Sequence, residues 1–216
     1  MLFSIITLFP EMFGDVFATS ILKRAQNKKL ITVRLINIRD FATDAYKSVD
    51  DAPYGGGTGM ILKVDVIDRA LESAKNTAPG LKVKTVLLDP QGEKFTQVYA
   101  QTFTEYEHLI LVCGHYEGVD ARVNTLVDLR LSIGNYILTG GELPAIVVVD
   151  AVTRLTSGVL PKSALEVETF TGNKYEFPQY TRPAKYKGMN VPKILLSGHH
   201  EKILTWRRKN SQKIIR

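Results

Sequence analysis

Val83-Lys84-Thr85-Val86-Leu87-Leu88 and Leu109-Ile110-Leu111-Val112-Cys113 are two short, mainly apolar runs, and each ends in a glycine-bearing turn: Asp89-Pro90-Gln91-Gly92 after the first, Gly114-His115-Tyr116-Glu117-Gly118-Val119-Asp120 after the second. Apolar residues that follow one another without alternation mark strands covered on both faces, which is the condition of strands in a parallel sheet. Outward from these runs, Leu2–Phe9 reads as a further strand, and Pro10-Glu11-Met12-Phe13 opens a helix, since Pro is favoured in a first turn. Leu30–Ile38 alternates, with Ile31, Val33 and Leu35 on one face and Thr32 and Arg34 on the other. Val64–Lys75 places Val66, Ile67, Ala70 and Leu71 at helical core spacing, and Glu142–Leu155 reads as a helix after a Gly-Gly turn. Strands alternating with helices predict an α/β domain with a mostly parallel sheet.

The remaining segments divide the chain. Residues 39–60 read as a long irregular stretch, polar and then glycine-rich, and from Thr156 to Pro183 periodicity fails. The predicted organisation is a body over 1–156, a linker over 157–182 and a short helical tail over 183–216, with Ser197 as N-cap of the tail helix. Charge follows that division. The tail holds nine Lys or Arg against one Glu, or +8, so with +6 for the whole chain the first 182 residues sum to 6 − 8 = −2. A near-neutral body with a strongly basic tail predicts that the tail meets a polyanion such as RNA.

Several classes are disfavoured. No apolar run approaches the roughly 18 residues that cross a bilayer, so no membrane association is expected. The apolar start lacks a preceding basic residue and a small-residue cleavage site, and reads as a buried strand rather than a signal peptide. A single cysteine, Cys113, forms no intrachain disulfide and no cysteine-based zinc site, which predicts a cytoplasmic protein. The stretch Asp50-Asp51-Ala52-Pro53-Tyr54-Gly55-Gly56-Gly57-Thr58-Gly59-Met60 lets backbone approach a ligand closely, but Met60-Ile61 stands where a phosphate loop needs Lys then Ser/Thr. No dinucleotide pattern is completed either. A further glycine-bearing cluster is Ser132-Ile133-Gly134-Asn135-Tyr136-Ile137-Leu138-Thr139-Gly140-Gly141-Glu142-Leu143-Pro144. Glycine loops at three successive strand ends predict a ligand crevice at the carboxyl edge of the sheet.

Six motifs in order resemble the bacterial tRNA (guanine-N1)-methyltransferase family: Leu8-Phe9-Pro10-Glu11-Met12-Phe13, the Asp50–Met60 loop, Cys113-Gly114-His115-Tyr116-Glu117-Gly118-Val119-Asp120, Ser132-Ile133-Gly134-Asn135-Tyr136, Gly140-Gly141-Glu142-Leu143-Pro144-Ala145, and Pro178-Gln179-Tyr180-Thr181-Arg182-Pro183. The resemblance runs from Met1 to about Trp206. It implies a SPOUT-type α/β domain with a deep trefoil knot and a small helical C-terminal domain. It implies S-adenosylmethionine as cofactor, held by Leu88 and Pro90, by Gly114 and Glu117, by the run Ile133, Gly134, Asn135, Tyr136, Ile137 and Leu138, and by Gly140, Gly141 and Pro144. Magnesium is an expectation from the family alone. So are a homodimer with active sites shared between subunits and, as substrate, the guanosine just 3′ of the anticodon of tRNA.

The family places an acidic base before Thr/Ser-Phe in the linker and an arginine in the helix after Gly-Gly-Glu-Leu-Pro; here these are Glu168 and Arg154. Guanine N1 carries a proton, so a carboxylate must remove it while a cation steadies charge on O6. Three departures from the family pattern stand out. Glu168 replaces the usual Asp, and the linker is shorter after Phe170, which leaves Glu176 open as an alternative base. Asn135 stands where an Asp is common. The chain stops at Arg216, which leads one to expect a shortened C-terminal domain, with Arg207, Arg208 and Lys209 beside Trp206 as its RNA-binding group. Two other readings stay open at the level of sequence: a noncatalytic RNA-binding module, and a knotted methyltransferase acting on ribosomal RNA.

Overall fold

The computed structural model describes residues 1–166, 168–170 and 174–212. The chain divides into two compact units, Met1–Leu160 and Pro161–Arg216. The first unit is built on a five-stranded sheet: β1 (Leu2–Thr7), β2 (Thr32–Asn37), β5 (Val83–Lys94), β6 (His108–Cys113) and β7 (Leu129–Ser132), in spatial order β2-β1-β6-β5-β7. All four pairings are parallel, with Leu2 opposite both Thr32 and His108, and Val83 opposite His108. Two short strands, β3 (Asp50–Asp51) and β4 (Ile61–Leu62), pair antiparallel and bracket the glycine-rich stretch.

β6 is buried at every position, as its unbroken apolar run predicts for a strand with helices on both sides. One core gathers Phe3, Ile5, Leu109 and Leu111 beneath α1 (Gly14–Phe17), α2 (Ser20–Asn27), α4 (Gln97–Phe103) and α5 (Glu142–Leu155). The other face packs Ile6, Ile110 and Val112 under α3 (Val64–Asn76). In α3 the buried residues Val66, Ile67, Ala70, Leu71 and Ala74 form one stripe at the spacing expected of an amphipathic helix. α5 is a different case. Its run Ile146-Val147-Val148-Val149 favours strand by local propensity, yet burial of Val148, Val149 and Val152 against the sheet decides for helix.

Three expectations are corrected. Leu35 does not face the core; it is exposed, because β2 is an edge strand. The strand from Val83 does not stop at Leu88 but resumes pairing at Glu93 after a register shift, so that Leu131 lies opposite both Leu88 and Glu93. Residues 39–60, read as irregular, hold a single-turn helix at Ile38–Phe41 as well as β3.

The second unit contains α6 (Lys162–Leu165), a two-stranded ribbon of β8 (Lys185–Tyr186) and β9 (Met189–Asn190), and α7 (His200–Asn210). Ser197 does not cap α7, which begins three residues later. Its hydroxyl donates to the Ile194 carbonyl at 2.7 Å and accepts from the His199 amide at 3.3 Å, closing the preceding turn instead. α7 is anchored by its aromatic and basic side: Trp206 lies 6.3 Å from Tyr180, and the Arg207 guanidinium sits 4.9 Å above the Phe177 ring.

Candidate active site

At the carboxyl ends of β5, β6 and β7 the first unit carries a cavity of about 450 Å³. This is where an open parallel sheet places ligands, and the size suits a cofactor-sized molecule. Its walls come mainly from three stretches far apart in sequence, Leu87–Gln91, Gly114–Val119, and Arg130–Pro144 with interruptions, with Ala121 and Asn124 beside the second. Twelve of the thirteen expected cofactor residues stand in these walls. Leu88 and Pro90 come from β5; Gly114 and Glu117 from the loop after β6; Ile133, Gly134, Tyr136, Ile137 and Leu138 from the loop after β7; Gly140, Gly141 and Pro144 from the approach to α5. Asn135 is exposed and stands outside them.

The loops are held by backbone. The Gly141 amide donates to the Gly114 carbonyl at 2.8 Å, and His115 bridges Gly140. A β-carbon on Gly141 would lie 2.6 Å from Cys113 Cα, so only glycine lets the two chains touch. The glycine-rich stretch closes on the same loop: Glu117 N–H donates to the Met60 carbonyl at 3.1 Å, and a β-carbon on Gly59 would meet Glu117 Cγ at 2.4 Å. Leu62 N–H donates to Gly118 O and Asp120 N–H to Leu62 O, which ties β4 to that loop.

Polar groups that sequence reasoning missed also line the cavity: Asp89, His115, Arg130, Ser132 and Thr139. Asp89 accepts from Arg130 Nη1 at 3.5 Å and from the Gln91 amide at 2.8 Å. Their positions beside the quoted glycines were a signal, but residue type alone does not separate them from ordinary turn residues. Just beyond the cavity, Asp120 binds Arg122 at 2.7 Å, and that hydrogen-bonded pair lowers the Asp120 pKa to about 2. The Cys113 thiol is buried, and burial together with nearby Glu142 raises its pKa well above the usual thiol range. It is therefore no nucleophile.

Arg154 stands in the last turn of α5, half-buried, ten residues or roughly 15 Å along the helix from Pro144. Glu168 belongs to the second unit and is half-buried. Arg154 is not part of the cavity walls. Beside Glu168, the Thr169 hydroxyl accepts from the Glu176 amide at 3.1 Å, so the two candidate bases lie on adjoining strands of chain; the Glu176 carboxylate accepts from Gln179. Phe170 holds a left-handed backbone at φ 73°, a costly conformation for an aromatic residue. The shortened segment Thr171-Gly172-Asn173 lies outside the described residues, as do Val167 and the last four residues. The basic tail group Arg207, Arg208 and Lys209 is exposed on the last turn of α7, with the Arg207 guanidinium also over the Phe177 ring.

A parallel α/β sheet whose strand-end glycine loops press on one another around a cofactor-sized cavity defines a small-molecule-binding α/β protein. Comparison with known proteins makes this specific. The family model described as tRNA (Guanine-1)-methyltransferase TrmD matches residues 1–215, and the chain belongs to that methyltransferase family. Curated relatives named tRNA (guanine-N(1)-)-methyltransferase include one from Pelotomaculum thermopropionicum, 52% identical over 96% of this chain and 83% of the relative. Another, from Caldanaerobacter subterraneus subsp. tengcongensis, is 51% identical over 99% of this chain and 88% of the relative. A third, from Geobacillus kaustophilus, is 51% identical over 96% and 85%.

Among the described residues, no three His, Cys, Asp or Glu side chains gather to hold a metal, and no helix is long and apolar enough to cross a membrane.

Proposed function

We propose that this protein methylates N1 of the guanosine 3′ of the anticodon in tRNA, taking the methyl group from S-adenosylmethionine bound in the cavity of the first unit. The observation that carries the reading is that twelve residues expected to touch the cofactor, drawn from three separated stretches, line one cavity at the carboxyl edge of the sheet. The residues fit the group: Gly114, Gly134 and Gly140 bring backbone to the cavity wall without intervening side chains, which suits close approach of an adenosine edge, and Leu88, Ile133 and Leu138 offer apolar surface. When bound, the cofactor supplies an electrophilic methyl sulfonium.

The chain's own residues do the rest. Glu168 takes the proton from guanine N1, and Arg154 stabilises the negative charge that gathers on O6. In this reading the protein is a homodimer, and a partner's linker completes each site. In the same reading the body over 1–156 carries the trefoil knot, 157–182 is the linker, and 183–216 binds RNA through Arg207, Arg208 and Lys209. Magnesium has no residue assigned to it, and no step is drawn through it. The cytoplasm, where tRNA is modified, is the fitting compartment.

Glu168→Gln should keep cofactor affinity and lower the single-turnover rate of tRNA methylation by about 10²-fold or more, the scale of a lost general base. Glu168→Asp should retain much of the activity. A larger loss in Glu176→Gln would transfer the role of base to that residue.

A further inference from the structure

Among the described residues, Glu142 is the one carboxylate buried to 1% exposure. A carboxylate is kept in such a place only by partners. One oxygen has them: Thr7 Oγ1 donates to Glu142 Oε1 at 2.8 Å, and the residue opens α5, where free backbone N–H groups and the helix dipole favour a negative charge. The same Thr7 hydroxyl accepts from the Phe9 amide at 3.0 Å.

The other oxygen faces the cavity loop. Glu142 Oε2 lies 3.8 Å from His115 Nδ1, and that ring nitrogen is buried without a hydrogen-bond partner. The His115 ring is placed by Phe9 at 4.7 Å and Tyr116 at 4.9 Å between centroids, and it forms part of the cavity wall. Gly140 keeps the space between them clear: a β-carbon there would lie 2.3 Å from Glu142 Oε2 and 2.6 Å from His115 Nδ1. An approach of about 1 Å would turn this near miss into a hydrogen bond of ordinary length.

We infer that Glu142 and His115 are positioning residues of a latch that cofactor binding closes. Occupancy of the cavity pushes His115 onto Glu142, its Nδ1–H donates to the carboxylate, and the loop Gly114–Glu117 is thereby fixed to the start of α5 and, through Thr7, to the end of β1. This rests on the reading of the cavity as the S-adenosylmethionine site. A purely structural Glu142 would need Thr7 alone, and His115 would then be replaceable.

The test uses the full chain and the unreactive product S-adenosylhomocysteine in titration calorimetry, with steady-state kinetics in S-adenosylmethionine. Asn places an amide N–H near the position of Nδ1, whereas Gln carries it one bond too far. His115→Gln should weaken S-adenosylhomocysteine binding about tenfold, the scale of one buried hydrogen bond, and raise the cofactor KM more than it lowers kcat. His115→Asn should stay within about threefold of the wild type by the same scale. Glu142→Gln combined with His115→Gln should be no worse than the more damaging single change, since the two act as one pair. Equal effects of Asn and Gln, additive losses in the double variant, or a His115→Gln protein that binds like the wild type would each overturn the latch. A wild-type protein that takes up neither compound would overturn the cofactor reading itself, an outcome the variants cannot mimic.

Discussion

Asp128 and Thr85 join the chain ahead of β7 to the first part of β5, and their geometry is that of a charged hydrogen-bond acceptor held by two donors. The Thr85 amide and hydroxyl both donate to Asp128 Oδ2, at 2.7 and 2.6 Å. Burial works against the charged form, but these two bonds prevail and hold the Asp128 pKa below its usual value. Asp120, lowered to about 2 by Arg122, behaves alike. For a carboxylate whose folded pKa is depressed, the stabilisation is complete above the unfolded value, near 4, and disappears as pH falls through the folded one. Asp128→Asn should therefore lower the melting temperature at pH 7, and the gap from the wild type should narrow as pH falls below about 4 and the wild type is protonated. A gap that stays constant over that range would show that the Asp128 charge plays no part. Neither residue announces itself in the sequence, because Thr85 and Asp128 stand 43 positions apart and only the β5–β7 pairing brings them together.

Elements differed in how plainly the sequence announced them, and the difference follows from what fixes each one. Glu142–Leu155 has the same limits in sequence and structure, and Val64–Asn76 exceeds the reading by one residue; in both cases an apolar face and a neighbouring sheet agree. β5 was read too short because residues after Asp89 are polar, and their pairing comes from Leu131 and Ser132 rather than from any local pattern. The cavity shows the same split. Glycine loops at strand ends were legible, since few other roles require glycine there, but His115 and Arg130 acquire meaning only from neighbours distant in sequence. α7 belongs to the legible kind in charge and to the other kind in position. Its basic last turn was plain, and Arg207, Arg208 and Lys209 are all exposed there, but the contact of Arg207 with the Phe177 ring was not legible. Each neutralised phosphate releases condensed counterions, so affinity for tRNA should fall steeply with salt. Replacing Arg207, Arg208 and Lys209 by Ala should raise the KM for tRNA and flatten the salt dependence by up to about three units of slope, leaving S-adenosylhomocysteine binding unchanged. An unaltered slope would make this turn a solvated helix end, with RNA gripped elsewhere.

At the scale of the whole molecule, the cofactor residues and the proposed base fall in different units of the chain. The cavity belongs to Met1–Leu160, and Glu168 to Pro161–Arg216. Arg154, though in the first unit, stands at the far end of α5 from the cavity. If active sites are shared in a two-fold dimer, each cavity draws its base from the other chain, and defects on the two parts should complement. The pair to mix is Gly140→Val, whose side chain would crowd Glu142 and His115 at the cavity, and Glu168→Gln in the linker. Each alone should form inactive dimers: one without bound cofactor, checked by calorimetry, the other without a base. After subunit exchange, a mixed dimer has one site with both defects and one with neither. Random mixing makes half of the dimers mixed, so activity should recover to about a quarter of the wild-type value. Exchange has to be verified independently, by mass spectrometry of differently tagged chains. Verified mixed dimers that remain inactive would place cavity and base in the same chain, and the shared-site reading would fall while the cofactor site stood.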